Sequence, residues 1–221
     1  PVDGHNLEDM TEALSVAKLM KRPCVVHVFT RKGRGYKPAE ENPGEYHAVA
    51  QNGVVEEFVY DDLPAHSDGS FSEAFGRELE RLGKADSRIC AITAAMKYAV
   101  GLNYFKNSFA PRFFDTGIAE QHSVTFAAGL AVQGMLPVFA VYSTFLQRGF
   151  DQIIHDCSIE KTHITLCIDR AGFVGADGET HQGIFDVPML RAVPNTVIYC
   201  PATYEELRRC LSEAIYRTEG I

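Results

Sequence analysis

Apolar residues recur at two different spacings along the chain. Spacings of three and four residues are typical of amphipathic helices. They predict helices at residues 6–20, 71–82, 120–133, 144–156 and 203–217. Two of these helices have N-terminal capping signals, Asn6 with Asp9 for the first and Thr203 with Glu206 for the last.

Short apolar runs lie between the predicted helices and are typical of buried strands. They occur at residues 24–30, 89–93, 113–115, 137–142, 164–168 and 196–200. Because strands alternate with helices, we expect an α/β fold with a parallel sheet and helices on both faces. Ligands of such sheets bind beyond the carboxyl ends of the strands, here after Thr93, Asp115, Tyr142 and Ile168.

Composition narrows the class of protein. The 221 residues are 46% hydrophobic and 23% charged, as in ordinary globular proteins. Twenty-nine acidic and 21 basic residues give a formal charge of −8, which argues against a nucleic-acid or membrane partner. No apolar run approaches the roughly 20 residues that cross a bilayer. The six cysteines have no CxxC spacing, so we expect buried free thiols in a cytoplasmic protein.

The first candidate catalytic group is Glu120, which follows a predicted strand and opens a helix rich in small residues. An acidic residue in the first turn of a helix interacts favourably with the helix dipole, by about 0.3–1 kcal/mol, and this role alone would account for it. Alternatively, close packing of the helix shields Glu120 from water and favours its protonated form. Such a carboxyl can exchange a proton with a heteroaromatic nitrogen.

A second candidate lies at the next strand-to-helix junction. Leu146, Phe150 and Ile153 form the stripe that faces the core, so Phe145 and Arg148 lie off that stripe. One interpretation makes Phe145 peripheral core and Arg148 a solvated charge. The other makes them an aromatic ring and a cation that together suit a flat ring and an anion.

The third candidate is the loop at residues 169–181, in which three glycines at a spacing of three allow the backbone to approach a ligand closely. Arg170, Asp177 and His181 lie in this loop, and with Arg148 they can bind a phosphate, because arginine donates paired hydrogen bonds to phosphate oxygens. A solvated polar loop is the alternative. Neither a dinucleotide fingerprint nor a Walker P-loop is present, which argues against a nucleotide-binding module.

Two segments near the start stay unassigned on their pattern alone. Residues 31–36 are typical of a turn with solvated charges, and His47 of an ordinary surface imidazole. The histidines also show no metal-ligand spacing.

Four motifs together resemble one enzyme family. They are residues 30–40 (TRKGRGYKPAE), 117–129 (GIAEQHSVTFAAG), 142–148 (YSTFLQR) and 169–178 (DRAGFVGADG). The chain resembles the 1-deoxy-D-xylulose-5-phosphate synthases, thiamine-diphosphate enzymes of the transketolase superfamily, and residues 45–70 match weakly. The resemblance implies that pyruvate condenses with glyceraldehyde 3-phosphate, with release of carbon dioxide, in a homodimer. The product would feed isoprenoid, thiamine and pyridoxal synthesis.

The resemblance also implies roles for single residues. Glu120 is similar to the glutamate that hydrogen-bonds N1′ of the cofactor's aminopyrimidine, and Phe145 to the ring stacked on the pyrimidine. Tyr36 is similar to a further cofactor contact, and His47 to a histidine that faces the reacting carbons. Five others resemble the group around the sugar-phosphate substrate: Tyr142, Arg148, Arg170, Asp177 and His181.

The resemblance divides the chain into the end of a diphosphate-binding domain (1–50), a linker (51–69) and a pyrimidine-binding domain (70–221). The family's Gly-Asp-Gly…Asn motif, which holds Mg²⁺ and the diphosphate, does not occur in this sequence. We therefore expect the metal ligands to lie outside the chain, and the chain alone to be an inactive fragment. Residues 95–102 also depart from the family's pattern.

Two other functions stay open. A transketolase, or the β part of a 2-oxoacid dehydrogenase, shares the sheet and the glutamate, but we would expect other residues in the loop at 169–181. The second alternative is a non-catalytic half-protein that completes a partner chain carrying the diphosphate site.

Overall fold

The computed structural model describes residues 1–44, 46 and 69–221. The chain divides into two compact units, Pro1–Asp62 and Leu63–Ile221. The predicted linker at 51–69 falls almost entirely outside the described residues, as does His47. The two predicted domain boundaries, after residues 50 and 69, therefore stay predictions.

Over its described residues, 1–44 and 46, the first unit contains two helices and a small parallel sheet. Its elements, in chain order, are β1 (Val2–Asp3), α1 (Leu7–Leu19), β2 (Val28–Phe29) and α2 (Lys37–Glu41). The first helix begins where its capping signal predicts. The Asn6 side-chain oxygen accepts hydrogen bonds from the backbone N–H groups of Glu8 and Asp9, at 3.0 and 3.3 Å.

The predicted buried strand at residues 24–30 is wrong in both its length and its burial. Val28 and Phe29 are the part of it that pairs in a strand, and Val25 is 95% exposed. The partner of this segment among the described residues is β1, which is two residues long. A ladder this short covers little of the apolar surface of residues 24–30.

The second unit is a parallel sheet with helices on both faces, which confirms the predicted fold class. Its strands are β3 (Ile89–Thr93), β4 (Phe113–Asp115), β5 (Leu136–Tyr142) and β6 (Thr165–Asp169). The order across the sheet is β4-β3-β5-β6, so the chain places β4 on one side of β3 and β5 on the other. Doubly wound sheets bind their ligands at such a reversal of strand order.

The helices of this unit follow the predicted alternation. They are α3 (Phe71–Ala85), α4 (Asn103–Ser108), α5 (Glu120–Val132), α6 (Ser143–Leu146), α7 (Phe150–Gln152), α8 (Asp186–Leu190) and α9 (Tyr204–Tyr216). From Ser143 to Ile159 the chain is continuously helical, with a 3₁₀ turn at Gln147–Gly149 and a π-helical stretch at Ile153–Ile159. Across the described ranges, every helix is too short or too polar to cross a membrane.

Alternation along β5 builds a core on each face of the sheet. Val138 and Ala140 pack in the cluster formed with α3, α4 and α9, whereas Phe139 and Val141 pack in the cluster formed with α5 and the 143–159 segment. All four side chains are at most 1% exposed. Burying a side chain as large as that of Val138, Phe139 or Val141 stabilises the fold by roughly 1.5–3 kcal/mol.

Two predicted helices are confirmed in detail. In α3, the helical spacing of Phe71, Phe75, Leu79 and Leu82 predicts one buried stripe. The last three are buried, whereas Phe71, at the start of the helix, is 42% exposed. In α9, the Thr203 hydroxyl accepts a hydrogen bond from the Glu206 backbone N–H at 3.1 Å, as the capping signal predicts.

The predicted strand at residues 196–200 is wrong. The backbone N–H of Val197 donates to the carbonyl of Ile221 at 2.9 Å, and the N–H of Ile164, just before β6, donates to the carbonyl of Gly220 at 3.2 Å. Residues 220 and 221 therefore take hydrogen bonds that a fifth strand would exchange with β6. The apolar run at 196–200 predicts a buried strand. It does not predict that the backbone of residues 220 and 221 takes hydrogen bonds that this strand would otherwise exchange with β6.

The expectation of buried thiols is correct only in part. All six cysteines are free, and burial raises the pKa of the Cys90 thiol to about 12. Cys24 and Cys200, however, are exposed, because both lie in segments that the two cores do not cover.

Arg112 ties the end of α3 to the sheet. Its guanidinium donates hydrogen bonds to the carbonyls of Gly83, Asp86 and Ile89, at 2.9, 3.2 and 2.7 Å. The guanidinium carbon also lies 4.3 Å from the centre of the Phe109 ring. This arrangement needs a planar group with several donors, which lysine does not have.

We predict that Arg112→Lys lowers the free energy of unfolding by about 1–3 kcal/mol, because carbonyls shielded from water lose their donor. Urea unfolding followed by circular dichroism measures the change. The matched control is Arg191→Lys at an exposed position, for which we expect a change below about 0.5 kcal/mol. Equal stability of the two variants would contradict the anchoring role of Arg112.

Candidate active site

The carboxyl ends of the strands meet at one edge of the sheet. The register places Tyr142 opposite Asp169, and Thr93 opposite Asp115. The segments that follow β4, β5 and β6 therefore leave the sheet at the same edge. These three segments carry seven of the nine residues that the sequence analysis proposes for the site.

Glu120 is the first residue of α5, and it is only 2% exposed. The turn before it is fixed by Asp115, whose Oδ1 accepts hydrogen bonds from the N–H groups of Gly117 and Ala95, at 3.0 and 2.8 Å. Gly117 has a φ of +70°, a conformation that glycine adopts without strain. The expected shielding of Glu120 from water is confirmed, whereas its expected protonation stays a prediction.

Arg148 is the partner of the Glu120 carboxylate. Its Nη1 lies 3.2 and 3.3 Å from the two carboxylate oxygens. The Arg148 side chain is 51% exposed, so it reaches the buried carboxylate from the solvent side. A carboxylate this deeply buried requires an opposite charge or a proton. The sequence grouped Arg148 with a phosphate, and this role stays a prediction beside the contact with Glu120.

Phe145 connects the Glu120 side of the site to the loop at 169–181. The Arg148 guanidinium carbon lies 5.7 Å from the centre of its ring. On the other side, the His181 ring meets it edge-on, with ring centres 5.3 Å apart. The Tyr142 ring lies nearly parallel to it at 6.1 Å. Phe145 is half-buried and packs against the core on the α5 face of the sheet, as the peripheral-core interpretation predicts, while its ring also contacts these side chains.

Arg170 and Asp177 form the polar end of the site. The Arg170 guanidinium carbon lies 4.4 Å from the centre of the Tyr142 ring, and its Nη1 forms an ion pair with Asp177. The Asp177 side chain is 3% exposed, against 37% for Arg170. Burial raises the pKa of Tyr142, and the nearby charge of Arg170 opposes this effect.

The structure thus joins seven predicted site residues through a series of contacts. Six of them contact one another in the order Glu120, Arg148, Phe145, Tyr142, Arg170 and Asp177, and His181 contacts Phe145. Tyr36 belongs to the first unit, where it is exposed and meets the Tyr46 ring edge-on at 5.6 Å. His47 lies outside the described residues.

Sequence reasoning missed three residues that organise this edge of the sheet. Asp115 holds the turn before Glu120, and an Asx-turn signal, an aspartate two residues before a glycine, could have identified it. The Ser143 hydroxyl donates to the Asp186 carboxylate, 43 residues further along the chain. No local pattern marks such a pair, because the two residues meet only in the folded chain.

The chemistry of these groups suits a flat, nitrogen-containing ring and a phosphate. A buried carboxylate beside an aromatic ring fits a heterocycle that accepts or shares a proton, and a half-exposed arginine fits an anion. Thiamine diphosphate carries an aminopyrimidine of this kind, so Glu120 and Phe145 fit that part of the cofactor. In the described part of the chain, no group of three or more His, Cys, Asp or Glu residues could hold a metal ion.

Known proteins with similar sequences include 1-deoxy-D-xylulose-5-phosphate synthases. The chain is 49% identical to the 1-deoxy-D-xylulose-5-phosphate synthase of Clostridium perfringens (strain 13), over 96% of the chain and 34% of that protein. It is 48% identical to the synthase of Halothermothrix orenii, over 100% of the chain and 34% of that protein. The chain therefore spans about a third of the length of these curated relatives.

A solved structure described as a split gene transketolase, an inactive beta4 tetramer, resembles the chain with a TM-score of 0.60 and 29% identity. The match covers 67% of this chain and 48% of that one. The family model "Transketolase, pyrimidine binding domain" matches residues 68–220, which is more than half of the chain. The chain therefore belongs to the family of transketolase pyrimidine-binding domains.

Proposed function

We propose that this chain is the pyrimidine-binding part, with the end of the diphosphate-binding part, of a 1-deoxy-D-xylulose-5-phosphate synthase. The reaction breaks the bond between the carboxylate and keto carbons of pyruvate and releases carbon dioxide. It then joins the former keto carbon to the aldehyde carbon of glyceraldehyde 3-phosphate. The observation that carries the proposal is the buried Glu120 carboxylate, linked by contacts to rings and arginines at adjoining strand ends. Similarity to the synthases along the chain supports it.

Thiamine diphosphate, when bound, supplies the electron sink for decarboxylation. Glu120 holds or shares a proton at the pyrimidine nitrogen N1′, and acid–base assistance of this kind is worth roughly 10²–10⁴ in rate. Burial at the start of α5 keeps water from competing for that proton. Arg148 is half exposed, so it can release the carboxylate to the ring nitrogen and turn towards solvent. Phe145 provides the aromatic face for the pyrimidine.

The phosphate of glyceraldehyde 3-phosphate binds at Arg170. The ion pair with Asp177 occupies one side of the guanidinium and leaves its other N–H groups for phosphate oxygens. At 37% exposure, Arg170 remains accessible to a ligand from solvent. Tyr142, His181 and Arg148 surround the same substrate.

The remaining parts of the proposal rest on the family resemblance. Tyr36 contacts the cofactor, and His47 faces the reacting carbons. Mg²⁺ binds the diphosphate through ligands outside this chain, residues 1–50 end the diphosphate-binding domain and residues 70–221 form the pyrimidine-binding domain. The enzyme works as a cytoplasmic homodimer in isoprenoid synthesis.

One alternative has a specific observation in its favour. The similarity to a split gene transketolase supports a half-protein that completes a partner chain carrying the diphosphate site. The mass of the polypeptide purified from its source distinguishes the two proposals. A mass near that of 221 residues supports the half-protein, and a mass about threefold larger supports the single-chain synthase.

We predict that Glu120→Ala in the whole enzyme lowers kcat by at least about 10²-fold, because the proton at N1′ loses its partner. Hydrogen–deuterium exchange at C2 of the bound cofactor, followed by NMR, should slow in parallel. Calorimetry of cofactor binding separates loss of exchange from loss of binding. Glu160→Ala, at an exposed position, is the control and should leave the exchange rate unchanged. Normal C2 exchange in Glu120→Ala would overturn the role of Glu120.

Arg170→Ala should raise the KM for glyceraldehyde 3-phosphate by about tenfold or more, with a smaller effect on the KM for pyruvate. A hydrogen bond to a charged group contributes roughly 1.5–3 kcal/mol, and pyruvate carries no phosphate. Steady-state kinetics with each substrate varied in turn measure the difference. Arg191→Ala is the matched control at an exposed position. An unchanged KM for glyceraldehyde 3-phosphate would remove Arg170 from the phosphate site.

The 221-residue polypeptide by itself should show no condensation activity and only weak binding of thiamine diphosphate, because its sequence lacks the Gly-Asp-Gly motif for Mg²⁺. Calorimetric titration with the cofactor, with and without Mg²⁺, tests this expectation. A cooperative urea transition serves as the control that the polypeptide is folded. Tight, Mg²⁺-dependent binding would show that the metal ligands lie within these residues after all.

A further inference from the structure

We propose that Asp186 is a positioning residue, which acts through Ser143 to hold the loop carrying Asp177 and His181 against the end of β5 and the adjoining backbone of Arg170. It thereby sets the geometry of the phosphate subsite, and this last step rests on the function proposed above. Neither residue contacts the predicted substrate group as a ligand. Their effect passes through the backbone to which the ligand groups are attached.

The part of the loop from Gly172 to Gly183, here called the glycine loop, is closed by its own hydrogen bonds. The two glycines exchange backbone N–H to carbonyl hydrogen bonds, at 2.6 and 2.9 Å. Inside this closure, the Gln182 amide accepts from the N–H of Val174 and donates to the carbonyls of Val174 and Gly178, at 2.8, 3.1 and 2.6 Å. A loop bonded in this way moves as one piece, so its attachment to the sheet decides where its side chains lie.

Ser143 is the attachment point. It directly follows Tyr142 at the end of β5 and is 1% exposed, and its hydroxyl donates to Oδ1 of Asp186. Gly183 packs directly on it, since a Cβ at Gly183 would lie 2.5 Å from the Ser143 hydroxyl oxygen and 2.4 Å from the Arg170 carbonyl oxygen. Gly183, one of the two glycines that close the glycine loop, therefore packs against the Ser143 hydroxyl. The same hydroxyl donates a hydrogen bond to Asp186.

Asp186 occupies an environment that is unfavourable for a carboxylate. It is 7% exposed, its Oδ2 is buried with no hydrogen-bond partner in the described part of the chain, and burial raises its pKa. The bond to Ser143 opposes this effect of burial but does not cancel it. The Asp186 carboxyl is therefore stabilised by the hydrogen bond from Ser143 rather than by water.

Amide hydrogen exchange of the full-length protein tests the attachment directly. We expect Asp186→Ala to raise the exchange rates of the Gly172 and Gly183 amides by up to about tenfold. A change of this size is expected when one hydrogen bond is lost. Asp186→Asn keeps a carbonyl oxygen that can accept from Ser143, so its exchange should stay close to that of the unchanged protein. Asp151→Ala, at an exposed position of the 143–159 segment, is the control.

The variants separate positioning from general stability. If Asp186→Ala does not fold, Ser143→Ala removes only the hydroxyl and should loosen the same two amides. Unchanged exchange in both alanine variants would overturn the proposal, as would an asparagine variant as loose as the alanine variant, because the acceptor oxygen would then have no role. Exchange that rises equally in β4, at the opposite edge of the sheet from β6, would show a general loss of stability and would also overturn it.

Binding of inorganic phosphate, followed by ³¹P NMR, and steady-state kinetics test the link to the subsite. Asp186→Ala should weaken phosphate binding and raise the KM for glyceraldehyde 3-phosphate severalfold, with kcat changed by less than about twofold. A fall in kcat with constant KM would contradict the positioning role. If the protein shows no synthase activity at all, the proposed function fails, while the exchange result still decides whether Asp186 holds the glycine loop.

Discussion

A carboxylate removed from water must find a partner, and this constraint governs the edge of the sheet where the strands end. Glu120 meets it through Arg148, whose guanidinium approaches from solvent. The ion pair neutralises the buried Glu120 charge. The pair is not permanent, because the Arg148 side chain is half exposed whereas Glu120 is deeply buried. Loss of the arginine alone would leave a buried charge unpaired, so a ligand atom that takes its place has to share a proton with the carboxylate.

The parallel sheet explains why residues so far apart in the sequence meet. Three consecutive strand-to-helix connections leave the sheet at one edge, and each carries part of the site. The rings of Tyr142 and Phe145 lie between the carboxylate of Glu120 and the ion pair of the following loop. The proposed ring-binding and anion-binding groups therefore belong to one continuous series of contacts rather than to two separate sites.

Local sequence patterns correctly predicted those helical features that depend only on residues close together in the sequence. The stripe from Phe75 to Leu82 and the cap at Thr203 depend on residues three or four positions apart, and both are present. The strand expected at 196–200 failed because residues 220 and 221 compete for the same backbone groups. For the site, the resemblance named the side chains that converge, but the contacts of Arg148 with Glu120 and of Ser143 with Asp186 are set by tertiary packing.

The π-helical stretch at Ile153–Ile159 shifts the rotational phase of its helix. Residues four apart normally share a face, yet here Ile153 is buried together with both Cys157 and Ser158. The extra residue turns Ser158 inward, where its hydroxyl donates to the carbonyl of Pro194 and its own carbonyl accepts from the Asn195 amide. Deleting one residue between Ile153 and Ser158 would restore regular winding with Ser158 four positions after Ile153. Ser158 would then still face inward, so its contacts with Pro194 and Asn195 would survive the loss of the π-helical turn.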